Sequence, residues 1–492
     1  QGIRGRPASF RREQGEETSV RRFFRKTWVK IGSAILGLVV VLLLSAYGTF
    51  KWLYIPSIPA PDFPAPADQR EAYSQDLDYL ELYADLDKAF EDGAKREAFH
   101  RRIASLRTQL DTMTPERFEV AVARAVAIAD NPHSNVSPLS MSRRINHFPV
   151  RTGPFEDGEF IIQARREYEH LLGAEIVAVE GHPISGVVES SISMFGGPEN
   201  RSRFFLHIYM NSPALLFGQG FTAEPDGAEL TVKLANGETR NVYLEGTMLR
   251  DDRRVPFGRE VMEYRVPEAD KADWVHLMAG REPPLYLVEP DEPYLYRYLE
   301  EPHGAYVRIN YNFDVGGRSL KGWLEEVAAD LRRRPPGFAV VDLRFNGGGT
   351  DATNRFAKEL PSLVADNGPV YIVTSRETFS AGIGAAAMVK KYAGDRARIV
   401  GGTVGDRLRF IANGGSPFTL PNSNISARVW STFEDYADGC WEWRECFVLS
   451  PFFRTEGVGD LDPHVVIPVN FADYASNRDP VMEAILAEVA RL

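Results

Sequence analysis

Val340-Val341-Asp342-Leu343-Arg344-Phe345-Asn346-Gly347-Gly348-Gly349 runs a short apolar strand into three consecutive glycines. A β-branched run of this kind reads as a strand buried in a sheet. Glycines directly after it let the chain turn sharply and aim backbone N–H groups at a phosphate or an oxyanion. Working outward, strands and helices alternate from His303 onward: strands at 305–311, 338–343, 370–374 and 399–400, and helices at 319–332, 351–363 and 381–392. That alternation predicts an α/β sheet, with no internal repeat at solenoid periods.

A second stretch has the same strand-to-turn form: Tyr371-Ile372-Val373-Thr374-Ser375-Arg376-Glu377-Thr378-Phe379-Ser380-Ala381-Gly382. Ser380 stands at the entrance of a small-residue helix, where the macrodipole favours a developing anion; a lone serine there also reads as a plain N-cap. Nucleotide binding competes for the glycine turn, because Gly347-x-Gly349-x-x-Ala352 has the dinucleotide pattern and Asp366 lies at nearly the expected distance. Asp366 precedes the next strand, however, whereas a ribose-binding acid belongs at that strand's far end, and no Walker lysine follows the glycines.

The 492 residues carry a net charge of -11, are 44% hydrophobic and suit several globular domains. The charge is unevenly placed. Residues 1–30 hold nine Lys/Arg against Glu13, Glu16 and Glu17, a local +6 that leaves -17 on the rest. An acidic body argues against nucleic acid as a partner. Residues 31–50 are twenty positions without a formal charge, enough at ~1.5 Å per residue to cross ~30 Å of hydrocarbon. Trp28, Trp52 and Tyr54 bracket the run as an aromatic belt would. This predicts a single-pass anchor over 31–54 with residues 1–30 cytoplasmic and the body periplasmic or extracellular; a cleaved signal peptide is the competing reading.

Prolines 56, 59, 61, 64 and 66 predict an extended linker over 55–68. Helical spacing of Leu77, Leu80, Phe90, Phe99, Ile103, Phe118, Val122 and Val126 predicts a helical domain over 69–146. Over 147–250 the order strand, Gly-turn, strand, helix, hairpin resembles a PDZ-like module, which takes an extended peptide as an added strand; a generic small α/β barrel is the alternative. Residues 251–302 show no motif and read as an irregular connector, and 303–492 form the α/β domain. Cys440 and Cys446, the only cysteines, are too few for a four-cysteine zinc site. In an oxidising space they read as one local bridge, and otherwise as two free thiols.

The sequence of motifs resembles the tail-specific, or C-terminal processing, peptidases and their tricorn-core relatives. It runs from strand-Asn346-Gly347-Gly348 through Thr378-Phe379-Ser380-Ala381 and Gly401-Gly402-Thr403-Val404-Gly405, then an Asp-Pro pair before the strand at 465–469, and Arg478-Asp479-Pro480. The resemblance implies a crotonase-like catalytic core beside the helical and PDZ-like domains, and serine endopeptidase activity on polypeptides without metal or organic cofactor. It implies Ser380 as nucleophile, with N–H groups of Ala381 and of Gly347 or Gly348 as oxyanion hole. One branch of the family uses a lysine in a Thr-x-Gly-Lys stretch, where this chain has Asp406; Lys390 and Lys391 lie about three turns into the helix, out of reach of Ser380. The other branch uses a histidine after an N-terminal helical region, which implies His133 in Asp130-Asn131-Pro132-His133 as base. Its third member implies Glu456, with Asp460 as the fallback. The lost lysine also leaves open a catalytically inactive peptide- or ligand-binding protein on the same fold.

Overall fold

The computed structural model describes residues 33, 35–249, 254–442, 445–447 and 457–492. The basic segment 1–30 and Glu456 therefore lie outside the described residues. The chain forms two units, residues 1–57 and 58–492. In the first, helix α1 (Ile35–Tyr54) has mean hydropathy 1.8 and is long and apolar enough to span a membrane or to be a signal sequence.

The second unit begins with the proline-rich stretch, which does not stand free as a spacer. Ile58 and Phe63 pack on the helical core, while the carbonyls of Pro59 and Pro64 accept from Tyr79 and Gln75 of helix α2 (Gln69–Glu81). Helices α3 (Gly93–Arg107) and α4 (Pro115–Val126) follow, the latter started by Thr114 capping the Arg117 N–H, with Pro115 in the first turn.

Strands β1 (Val150–Thr152) and β2 (Ile161–Arg165) belong to one small sheet. Strands β3 (Glu175–Val179), β4 (His182–Pro183), β5 (Gly227–Lys233) and β6 (Thr239–Glu245) form an antiparallel four-stranded sheet in the order β4-β3-β5-β6. Between β4 and β5 come helices α5 (Ile184–Ile192), α6 (Glu199–Phe204) and α7 (Pro213–Gln219). The connector is more ordered than its composition predicts. Strand β7 (Trp274–His276) pairs with β2, and β8 (Tyr294–Leu299) is an edge strand of the main sheet. Its alternating Tyr-Leu-Tyr-Arg-Tyr-Leu pattern suits a strand half covered at an edge, a signal masked by the charged and proline-rich flanks.

The main sheet then gains β9 (Gly304–Ile309), β10 (Phe338–Asp342), β11 (Val370–Thr374) and β12 (Ala397–Gly401), all parallel, with α8 (Leu320–Arg333), α9 (Asn354–Leu363) and α10 (Ala381–Ala393) between them. Every residue of β9, β10 and β11 is buried, as expected of parallel strands covered on both faces. Val341, Ile372 and Ile399 pack with Leu324, Leu360 and Ile383 on one face. Val340, Tyr371 and Val400 pack with Val481, Met482 and Ile485 on the other.

After β12 come β13 (Arg409–Ile411), the hairpin β14 (Ser416–Thr419) and β15 (Ser426–Val429), then β16 (Phe433–Asp435), β17 (Val465–Val466) closing the six-stranded sheet, and α11 (Pro480–Val489). The hairpin leaves the sheet and buries Phe418, Ile425 and Val429 among the N-terminal helices. Asp76 of α2 accepts the N–H groups of Asn422 and Ser423, and Tyr83 donates to the Arg428 carbonyl. Segments 345 to 347 residues apart thus share one core, which brings the 130–133 turn to the loops around Ser380.

Candidate active site

The glycine turn and the Ser380 loop are bolted together at the C-terminal ends of β10 and β11. Thr378 Oγ1 donates to the Leu343 carbonyl at 2.8 Å, and the Phe379 N–H donates to the Asn346 carbonyl at 2.9 Å. Asn346 is fully buried; its Nδ2 donates to the Ile309 carbonyl and to Asn312 Oδ1 at 2.9 and 2.8 Å. Asn312 in turn donates from Nδ2 to the Ala381 carbonyl at 2.7 Å. The two asparagines lock the turn to the first residue of α10. Asn312 carries no motif of its own, so sequence reading passed over it.

Ser380 is held at φ 53 and ψ -124 as the residue before α10. A non-glycine residue there is strained by ~1–3 kcal/mol, and the residue sits on a sharp turn from β11 into α10. Its hydroxyl makes no capping bond to the helix, so the plain N-cap reading fails. A Cβ on Gly348 would lie 2.8 Å from Ser380 Cβ and 3.0 Å from the Ala381 nitrogen. Only glycine, here at φ +104, permits that approach. Among the described residues the N–H groups of Gly347 and Ala381 have no acceptor, whereas that of Gly348 is donated to Asn346 Oδ1 at 3.0 Å. Asp366 sits at φ 49 in the turn before β11, at the opposite end of the parallel strands from the glycines, which removes the dinucleotide arrangement.

His133 is brought to this loop but is not bonded to Ser380. Its ring stacks on Phe379 at 4.3 Å and on Phe410 at 5.2 Å, with Trp430 edge-on at 5.6 Å. Neither ring nitrogen has a hydrogen-bond partner among the described residues. Burial, reinforced by the positive Arg201, pushes the imidazole down to about 3, so it is neutral at pH 7. Trp430 Nε1 donates to the His133 carbonyl at 2.6 Å, and Arg407 reaches the Asp130 carboxylate at 2.9 Å, bracing the turn on both sides.

Asp406, where one branch of the resembled family has lysine, faces this histidine: its Oδ2 is 3.7 Å from His133 Nδ1. Burial raises its carboxyl to about 7, against the pull of the Arg407 N–H, Arg407 and Arg201. Arg201 of α6 lies over the Phe379 ring at 4.1 Å and donates to the Arg376 carbonyl, and buried Glu377 beside it is raised to about 8 by desolvation. Asn200 donates to the Val404 carbonyl at 2.8 Å. One short helix of the inserted region therefore contacts both loops of the site. Asp460, the fallback for the third position, is exposed and paired with Lys390 of α10 at 3.0 Å. Cys440 and Cys446 are bonded to each other; Trp441 of that loop is exposed, and Trp443 lies outside the described residues.

No protein-family model and no curated protein matches the chain. Among solved structures, mature CPAF complexed with lactacystin matches with TM-score 0.52 and 12% identity, covering 85% of this chain and 97% of that one. Mature CPAF alone matches with TM-score 0.50 and 13% identity, covering 85% and 96%. The fold is that of mature CPAF. Since residues 294–492 are well under half of the chain, 85% coverage means that the architecture shared with CPAF extends beyond the main sheet into the helical and inserted regions. The photosystem II D1 C-terminal processing protease also matches, with TM-score 0.32 and 12% identity over 85% of this chain and 99% of its own.

Proposed function

We propose that this chain is a serine endopeptidase that hydrolyses polypeptides through an acyl-enzyme. The observation that carries the reading is the strained Ser380 between the close-packed Gly348 and the free N–H of Ala381. Ser380 Oγ attacks the scissile carbonyl carbon, His133 takes the hydroxyl proton and returns it to the leaving amine, and the N–H groups of Ala381 and Gly347 receive the oxyanion. His133 approaches Ser380 as substrate enters, since hydrogen bonds of this kind tighten in the Michaelis complex. The CPAF fold supports the reading, and so do the motifs around Asn346, Ser380 and Asp479. We read the sheet domain as crotonase-like, the 147–250 region as a PDZ-like module that selects polypeptide, and Glu456 as the family's third position. Helix α1 is read as a single-pass anchor that places the body outside the cytoplasm, where the Cys440–Cys446 bond is stable. A fluorophosphonate probe should label full-length protein in detergent; labelling that persists in Ser380→Ala would falsify the nucleophile assignment.

A second reading has its own observation: with no bond between His133 and Ser380, the scaffold could bind peptide without cutting it. Turnover of a denatured protein by wild type but not by Ser380→Ala rejects that reading.

A further inference from the structure

We propose that Asp406 is the positioning residue for His133, the role that family resemblance gives to Glu456. The proposal rests on the reading of Ser380 and His133 as nucleophile and base. His133 Nδ1 and Asp406 Oδ2 stand 3.7 Å apart, on side chains only 8% and 1% exposed. Neither atom has another hydrogen-bond partner among the described residues. Two unpaired polar atoms buried this deeply each bear a desolvation penalty that a bond between them removes.

The surroundings leave the imidazole little choice. Phe379 and Phe410 stack on it, Trp430 stands edge-on, and none of the three rings offers an acceptor for a ring N–H. Asp406 is aimed by its own loop, because Oδ1 accepts the Arg407 N–H at 2.8 Å and leaves Oδ2 for the histidine. Arg407 then clamps Asp130, three residues before His133, through both its carboxylate and its carbonyl. Consecutive residues of one loop thus hold the turn and the ring it carries. The charged groups that act on the pair are Arg201 from α6, and Arg407 and Asp130; Glu377 from the Ser380 loop faces Arg201. Arg201 and Arg407 favour the carboxylate; Asp130 opposes it.

With Nδ1–H held by Asp406, Nε2 is the free base. As Ser380 Oγ bonds to the carbonyl carbon, its proton passes to Nε2 and the carbonyl π pair moves to oxygen. As the C–N bond breaks, the same proton goes to the amine nitrogen. In the acting form Asp406 is ionised, favoured by Arg407 and Arg201 against the cost of burial, and its carboxylate stabilises the imidazolium without taking the proton. The lysine of one branch is thereby replaced by a group that serves the histidine.

The test uses full-length protein in detergent, with turnover of a fluorophore-labelled denatured protein and fluorophosphonate labelling as readouts. Asp406→Asn should lower kcat by ~1,000-fold or more with KM nearly unchanged. It should also move the acid limb of kcat/KM to lower pH, because an imidazolium without its anion is harder to form. Asp406→Glu should recover much of the rate. With histidine-selective 15N labelling, nine side chains in all, wild type should show a downfield Nδ1–H resonance that Asp406→Asn lacks. This readout does not depend on turnover and can be taken on either variant that folds. The proposal is overturned if Asp406→Asn keeps kcat within about tenfold of wild type with the same acid limb, if the resonance persists in Asp406→Asn, or if Glu456→Gln alone produces the large loss. Failure of the underlying reading looks different: probe labelling that survives Ser380→Ala removes the nucleophile and this proposal with it.

Discussion

Ser380 shows how much of a site depends on single residues. Its φ of 53 is forced by the turn into α10, and the side chain contributes nothing to stability there that glycine would not improve. Ser380→Gly is therefore expected to raise the free energy of unfolding by about 1 kcal/mol in a denaturant titration while abolishing probe labelling. A stabilised but unlabelled variant marks strain kept for chemistry, whereas a destabilised one argues against strain. Gly348 bears the opposite burden. At φ +104, with a Cβ position 2.8 Å from Ser380 Cβ, Gly348→Ala should cost ~1–3 kcal/mol and slow labelling together.

At the scale of elements, α10 approaches the glycine turn because it begins with small residues. A Cβ on Gly382 would lie 2.3 Å from the Asn346 carbonyl oxygen, and one on Gly384 2.4 Å from Tyr436 Oη. Gly382→Ala should therefore push the helix off the turn, lowering the thermal midpoint and the labelling rate, although alanine is the better helix former. The last helix is tied in by charge. Asp479 caps α11 at the Val481 and Met482 N–H groups and pairs with buried Arg344, which also holds Asp342 at 2.9 Å. Asp479→Ala removes a cap and half of the compensation of a buried guanidinium, so a loss of about 3 kcal/mol is expected in equilibrium unfolding. Its isostere Asp479→Asn should retain the cap and lose less.

For the whole molecule, buried titratable groups decide the response to pH. Burial raises Glu159 and Glu377 to about 8 and Asp406 to about 7. A raised carboxyl keeps in the folded state a proton that the unfolded chain has released, so stability falls as pH climbs through that window. His133, His147, His207 and His276 are pushed down by burial; they cost stability as pH drops below about 6.5, where the unfolded chain takes up protons. The two sets oppose each other in mild acid, and above pH ~6.5 only the carboxyls act. The thermal midpoint should thus be lower at pH 8 than at pH 6, and Glu159→Gln should shrink that difference. An equal drop in Glu159→Gln would show that this carboxyl is not its source.

The alternating pattern of 303–401 was enough to place the strands of the main sheet and the helices between them within a few residues, because strands buried on both faces carry their burial in their own composition; their parallel pairing came from the structure. The glycine turn was legible because the close approach at Gly348 demands glycine locally. Ser380 was singled out instead by its place before a small-residue helix and by the motifs around it, since its backbone strain would by itself favour glycine. His133 was placed only by resemblance, and its setting was hidden, since Phe379, Phe410, Trp430 and Asp406 meet it from segments distant in sequence. Asp406 looked like a loss when read against a lysine motif, and Arg201 and Asn312 carried no signal at all. Strand β8 and the docked prolines depended on partners likewise remote in the chain. Local backbone demands are written in neighbouring residues, whereas a buried charge gains its meaning from whatever the fold sets against it, and those partners meet only when distant segments pack together.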